Sequence, residues 1–280
     1  MEISATDVKR LRDRTGMQMM KCKAALQEAN GDLEKAVEIL RKQNKDAQDK
    51  VGGRETAEGR IGVFIDPAQN VGAIVEVRCE TAPVAKNELF VQLANELAKQ
   101  IALREPASVE ALLAQPFVDD AHRTVRERIG DLVSMMRENM KPVRMARMTG
   151  LLGSYVHHDG SVGVLLQVEG SSTDPQLLRE VSMHITAKNP VAALSEHIPA
   201  DRMEKEREIA RAQAAEQGKG KPANIVEKIA EGKLRTWLAE NVLSEQPFVK
   251  DETKKVGELL RSHGLKLVRF VRYRVGEVGQ

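Results

Sequence analysis

Residues Val71 to Phe90, VGAIVEVRCETAPVAKNELF, contain a strand, a corner and the start of a helix. Val71, Ala73, Val75 and Val77 alternate with Gly72, Ile74, Glu76 and Arg78. This period of two has one wholly apolar face and predicts a buried strand. Thr81 suits the N-cap of the helix that follows, and Pro83 its first turn, where no backbone N–H is needed. The corner Thr81-Ala82-Pro83-Val84-Ala85-Lys86 is therefore expected on a surface edge.

Working outward, Arg60 to Asp66 reads as the partner strand, turning through Pro67-Ala68-Gln69-Asn70. Helices are expected at about 84–104, 108–115 and 119–139. A second sheet unit is expected over 142–190. In it Val143 to Tyr155 is largely extended, His157-His158-Asp159-Gly160 turns the chain, Val162 to Glu169 returns it, and a helix from about Pro175 to Lys188 closes it. Val71-Gly72-Ala73-Ile74-Val75-Glu76-Val77 is echoed by Val162-Gly163-Val164-Leu165-Leu166-Gln167-Val168, pointing to two related halves; chance likeness of apolar strands is the alternative. Residues 199–241 read as two helices joined at Gly218-Lys219-Gly220-Lys221-Pro222, with Pro222 in the first turn of the second. Their thin Met203, Ala210, Ala214 stripe predicts a projecting hairpin packed mainly on itself, either an interaction arm or a solvated pair without function. Lys255 to His263 is helical, and the alternation from Leu265 to Val275 adds one more strand.

Residues 4–44 read as three short helices. Val8 and Leu11 share a face of the first, Met19, Cys22, Leu26 and Ala29 of the second, and Leu33, Ala36, Val37 and Leu40 of the third, which Asp32 caps. So small a core makes this a docking module, marginally stable alone. Residues 45–59 read as a polar, glycine-containing linker.

The chain has 280 residues, enough for two or three compact units. Charged residues make up 30% but the net charge is only +2, and aromatics are 3%, so neither a basic field nor a base-stacking platform points to direct nucleic-acid binding. Cys22 and Cys79 lack CxxC spacing, which argues against a disulfide framework or zinc site and for a reducing, cytoplasmic setting. MEISATDVKRLRDRTG has no apolar run of a signal peptide, and no stretch approaches the ~20 apolar residues of a membrane span.

Several motifs together resemble one family. LRDRTGMQMMKCKAALQEANGDLEKAVEILRK, the 81–86 corner, LGSYVHHDGSVGVLLQV, MHITAKNP, and KPANIVEKIAEGKLRTW followed by LSEQPFVKD fall in the order and spacing of elongation factor Ts, the bacterial nucleotide-exchange factor. The resemblance implies an α+β fold: a UBA-like three-helix docking module over 1–53, then two related antiparallel-sheet-plus-helix subdomains over 54–140 and 141–280, the second carrying the hairpin. It implies no cofactor and no catalytic chemistry. The implied partner is elongation factor Tu, GDP-bound and nucleotide-free, in a 1:1 or 2:2 complex. Val8, Lys9, Arg12, Met19, Met20, Lys23 and His157 match the family's partner-binding positions. Adjacent methionines cannot both face one small core, so at least one is expected to be exposed, as an adaptable contact; Met19 in the core with Met20 incidental is the alternative.

Thr81, Ala82, Pro83 and Val84 match the family corner that dislodges magnesium, whose motif is Thr-Asp-Phe-Val-Ala-Lys. Ala82 and Pro83 replace its Asp and Phe. Lys21 stands for an acidic residue and Gln18 for a glycine, and the chain stops soon after Arg274-Val275-Gly276-Glu277, where many members add a helix. A non-exchanging holding protein for the same GTPase is thus the rival reading. An enzyme built on His157, His158, Asp159 or His184 is a weaker one. Adjacent histidines diverge in an extended segment, and GxSxG, HExxH and GxxxxGK[ST] are all missing from the sequence.

Overall fold

Ser4 accepts the Asp7 N–H to start α1 (Ala5–Thr15), and Gly16, at φ 69°, ends it. The computed structural model describes residues 3–171 and 174–277. Helix α2 (Met19–Glu28) follows, and Asp32 accepts the Glu34 and Lys35 N–H groups to start α3 (Leu33–Val51). The three helices enclose Val8, Leu11, Met17, Cys22, Leu26 and Leu40. The first part of the expected 45–59 linker is helix. No glycine or proline occurs there before Gly52, and α7 gives its inner face a tertiary partner.

Strands β1 (Glu58–Asp66) and β2 (Val71–Cys79) form the expected hairpin, with β2 almost wholly buried. The expected 84–104 helix is two helices, α4 (Ala82–Ala85) and α5 (Glu88–Arg104), because Asn87 accepts the Leu89 N–H and restarts the chain. Helix α6 (Val109–Ala114) leads into a small hairpin of β3 (Pro116–Phe117) and β4 (Asp120–Thr124). Only then does α7 (Val125–Met136) begin, through a Thr124–Glu127 capping box. The helix expected from 119 thus starts six residues late; a strand pairing and a cap fix its N-terminus, and helical periodicity reports neither.

Strand β5 (Met140–Thr149) pairs antiparallel with β2, Val75 opposite Met145. This corrects the placement of Val143–Tyr155 in one second-sheet unit. Gly150, at φ +101°, breaks that segment, so β5 completes the first sheet (order β1-β2-β5) and β6 (Leu151–Val156) begins the second. The proposed division at 140/141 consequently falls inside β5.

The second half repeats the first. It comprises β6, β7 (Val162–Gly170), α8 (Pro175–Lys188), a hairpin of β8 (Pro247–Phe248) and β9 (Asp251–Lys255), α11 (Val256–Ser262) and β10 (Leu265–Arg274). Its sheet order is β10-β7-β6, so β2 and β7 are both central strands. Gln115-Pro116-Phe117-Val118-Asp119-Asp120 reappears as Gln246-Pro247-Phe248-Val249-Lys250-Asp251 at the small hairpin. The corners ending α5 and α8, Glu105 and Asn189, share φ 46° and ψ 55°. Where the first half has only α6, the second inserts the antiparallel pair α9 (Ala200–Gln217) and α10 (Ala223–Asn241). Ala210 and Ala214 bury on that pair's inner stripe, while Pro222 stands at the cap before α10 rather than in its first turn. The two sheets meet through Ile61, Ile74, Met148, Leu152 and Leu165.

Candidate partner-binding site

The module's outward face is set by which methionine turns inward. Gln18 is extended before α2, and this sends Met17, only 1% exposed, into the core in place of Met19. Met19 and Met20 are left 50% and 74% exposed on the first turn of α2. Lys9, Arg12 and Lys23 are exposed as well. Val8 is not: it packs in the three-helix core and supports this surface from beneath.

Polar contacts attach the module to the first half. Lys21 Nζ donates to the Ser134 carbonyl at 3.1 Å, and burial, with Arg137 nearby, holds its pKa below the usual lysine value. Asn44 Nδ2 donates to Asp131 at 2.7 Å and Gln48 Nε2 to the Arg126 carbonyl at 3.1 Å. Burial pushes the Asp131 carboxyl up to about 6, although Arg123 Nη1 donates to it at 2.6 Å. Within the module, Arg14 of α1 pairs with Glu34 of α3.

Thr81 occupies the N-cap position of α4, but its side chain does not cap the helix. Its hydroxyl donates to Glu138 Oε1 at 2.6 Å and its N–H to Oε2 at 3.1 Å. A charged acceptor aimed at both donors outcompetes a bond inside a four-residue helix. Glu80 Oε1 in turn accepts the Asn139 N–H at 2.6 Å. The corner is therefore pinned to the 138–139 segment from both sides. Val84 packs against the first core, Ala82 is half-buried, and Pro83 and Lys86 face outward. Burial and then Glu138 push the Cys79 thiol up to about 12, which leaves it inert as a nucleophile at neutral pH.

His157 sits at the head of the β6–β7 turn. Its N–H donates to the Val162 carbonyl at 2.9 Å, and its Nδ1 lies 3.4 Å from the Tyr155 hydroxyl. Burial would raise the Asp159 carboxyl, but the Ser161 N–H and hydroxyl both donate to it and leave it below its ordinary value. Gly160, at φ +77°, closes the turn, and its carbonyl accepts the Ile61 N–H at 2.9 Å, tying the turn to β1. Among the described residues, no three His, Cys, Asp or Glu side chains are grouped to hold a metal ion.

The segment from Ser134 to Glu138 thus joins two of the three expected contact regions, taking Lys21 of the module and Thr81 of the corner. His157 reaches the surface separately, on the second half. Nothing in the local sequence marked Ser134 or Glu138 for this role. The repeated Gln-Pro-Phe-Val segment, by contrast, was readable and marks the duplication more sharply than the strand echo.

Two duplicated sheet-and-helix halves behind an N-terminal helical module define the class, a duplicated α+β protein. A family model described as "Elongation factor TS" matches residues 80–277. Elongation factor Ts of Thioalkalivibrio sulfidiphilus is 44% identical over 281 residues, covering 99% of this chain and 93% of its own length. That of Methylococcus capsulatus is 43% identical over the same shares, and that of Aquifex aeolicus 40% identical, covering 99% of each chain. The chain belongs to the elongation factor Ts family, a family of translation elongation factors.

Proposed function

We propose that this chain is a guanine-nucleotide exchange factor for elongation factor Tu, acting in the cytoplasm without catalytic chemistry of its own. The exposed Met19–Met20 pair carries the reading. Two flexible, polarizable side chains stand on a helix fixed to the body through Lys21, while Asn44 of α3 anchors the same module. Such a surface adapts to a partner while its support stays put. Lys9, Arg12 and Lys23 flank it, and His157 extends the contact onto the second half. The factor binds GDP-bound elongation factor Tu, weakens its magnesium and phosphate sites, and stabilises the nucleotide-free state. By linkage, nucleotide lowers the factor's affinity for the GTPase by the same ratio. The complex is 1:1 or 2:2.

GDP release from the purified GTPase tests this: Met19→Ala with Met20→Ala slows exchange at unchanged fold, and an unaltered rate refutes it. One observation favours the second reading, a protein that holds the GTPase without exchanging its nucleotide. The corner presents Pro83 where an aromatic wedge would provide ~150–250 Å² of rigid apolar contact. A stable complex without faster GDP release would identify that protein.

A further inference from the structure

The internal repeat exposes a difference with chemical meaning. Arg147 stands opposite Ala73, the third residue of β2, and Arg272 stands opposite Val164, the third residue of β7. The two arginines are thus equivalent. In the first half Arg147 has partners on two of its nitrogens: its Nε donates to the Ala102 carbonyl at 2.8 Å and its Nη1 pairs with Glu105 at 3.2 Å. Glu105 is the left-handed corner residue that ends α5. In the second half the equivalent corner residue is Asn189, in the same conformation, and the carboxylate is gone.

Glu277 supplies a carboxylate to Arg272 in its place, but the arginine is left one acceptor short. Its side chain is 9% exposed, and its Nε, buried, has no hydrogen-bond partner among the described residues. Burial holds its pKa below the ordinary arginine value. A buried guanidinium N–H without an acceptor is costly, and its persistence calls for a missing partner. Beside it a cleft of about 510 Å³ opens between the Asn189 corner and β10, lined also by Arg144, Arg269, His197 and Tyr273. Among the described residues Glu277 is the sole carboxylate on its wall, 34% exposed, paired through Arg272 Nη1 at 3.1 Å. Arg144 spends its Nε on Glu76 at 2.6 Å, but Glu76 is shared with Arg78, so that group still carries a net positive charge.

We propose that this cleft is an anion site and that its ligand is a phosphate group, free or as a phosphate monoester. Arg272 offers an unused N–H of its planar fork. Arg269, whose side chain leaves the opposite face of β10, and Arg144, stacked on Tyr273 of that face, add positive charge to the same cleft wall, a setting that suits a tetrahedral oxyanion bearing about two charges. The volume is within the ~300–1,000 Å³ typical of small-molecule sites, leaving room for a group esterified to the phosphate. The bound oxygen takes the Arg272 Nε, whose counterpart on Arg147 donates to the Ala102 carbonyl in the first half. The proposal does not rest on exchange activity, and the two stand or fall separately.

Calorimetric titration of the full chain at low ionic strength, with inorganic phosphate and with GMP as separate probes, tests it. Saturable one-to-one binding is expected, with GMP the tighter probe if the site takes monoesters and inorganic phosphate at least its equal if it takes the free ion. Arg272→Ala weakens binding roughly tenfold or more. The sharper variant is Asn189→Glu, which restores the first half's internal carboxylate in a backbone conformation that Glu105 already adopts. It is expected to abolish phosphate binding while the thermal midpoint holds or rises. The absence of saturable binding with either probe, or undiminished binding by a folded Asn189→Glu, overturns the proposal.

Discussion

His184 offers a quantitative test of the duplication, because the first half solves the same problem with a different residue. Gln100 on α5 accepts the Val118 N–H at 2.7 Å and donates to Gln115 at 3.0 Å, fixing the first small hairpin. His184 on α8 accepts the Val249 N–H on Nδ1 at 3.2 Å, so its Nε2 is the donor to Gln246 at 2.8 Å. Both anchors are fully buried. His184→Ala strands two groups at about 1–3 kcal/mol each and leaves a void, a loss of roughly 3–5 kcal/mol. His184→Gln restores the first-half arrangement and is expected to cost under about 1.5 kcal/mol.

The pH dependence has a definite sign. Burial, opposed by the Gln246 bond and reinforced by Lys188, lowers the His184 pKa in the fold. Below the unfolded value of about 6.5 the unfolded chain binds the extra proton, so this contribution to stability is lost as pH falls through that window. Urea unfolding at pH 7.5 and 5.5 is the assay, read as the wild-type curve against His184→Gln so that other titrating groups cancel. A glutamine variant as unstable as the alanine one refutes the equivalence of the two anchors. A wild type no more acid-sensitive than His184→Gln refutes the neutral, Nε2-protonated histidine.

Three further outcomes are expected. Asp131, raised to about 6 by burial, binds its proton more readily folded than unfolded, so its share of stability declines as pH rises from about 4 to 6; Asp131→Asn should flatten that slope in thermal melts. Gly160→Ala places a Cβ 2.6 Å from Arg60 at φ +77° and should cost about 1–2 kcal/mol in denaturant titrations, with the His157 turn exchanging amide protons faster. Ala82→Asp with Pro83→Phe should accelerate GDP release from elongation factor Tu up to roughly thirtyfold, the worth of an anchor of ~2 kcal/mol, and no acceleration would mean the wedge is dispensable here.

The sequence by itself determined the strand at 71–79, the helices of the module and the arm, and the family, because two-residue and 3.6-residue periodicities and caps are local properties. Only the tertiary structure decided which strand joins which sheet. One glycine at 150 divides an extended run between two sheets, and strand pairing is a long-range choice that no local window contains. The same holds for Met17 displacing Met19 from the core, since one extended residue rotates the helix that follows. Glu138 taking Thr81 away from its cap, and Arg272 keeping an Nε without the acceptor that its twin Arg147 finds on Ala102, depend likewise on partners 57 residues ahead in the first case and on another element in the second. Composition names such groups, but only the fold brings them within bonding distance or keeps them apart.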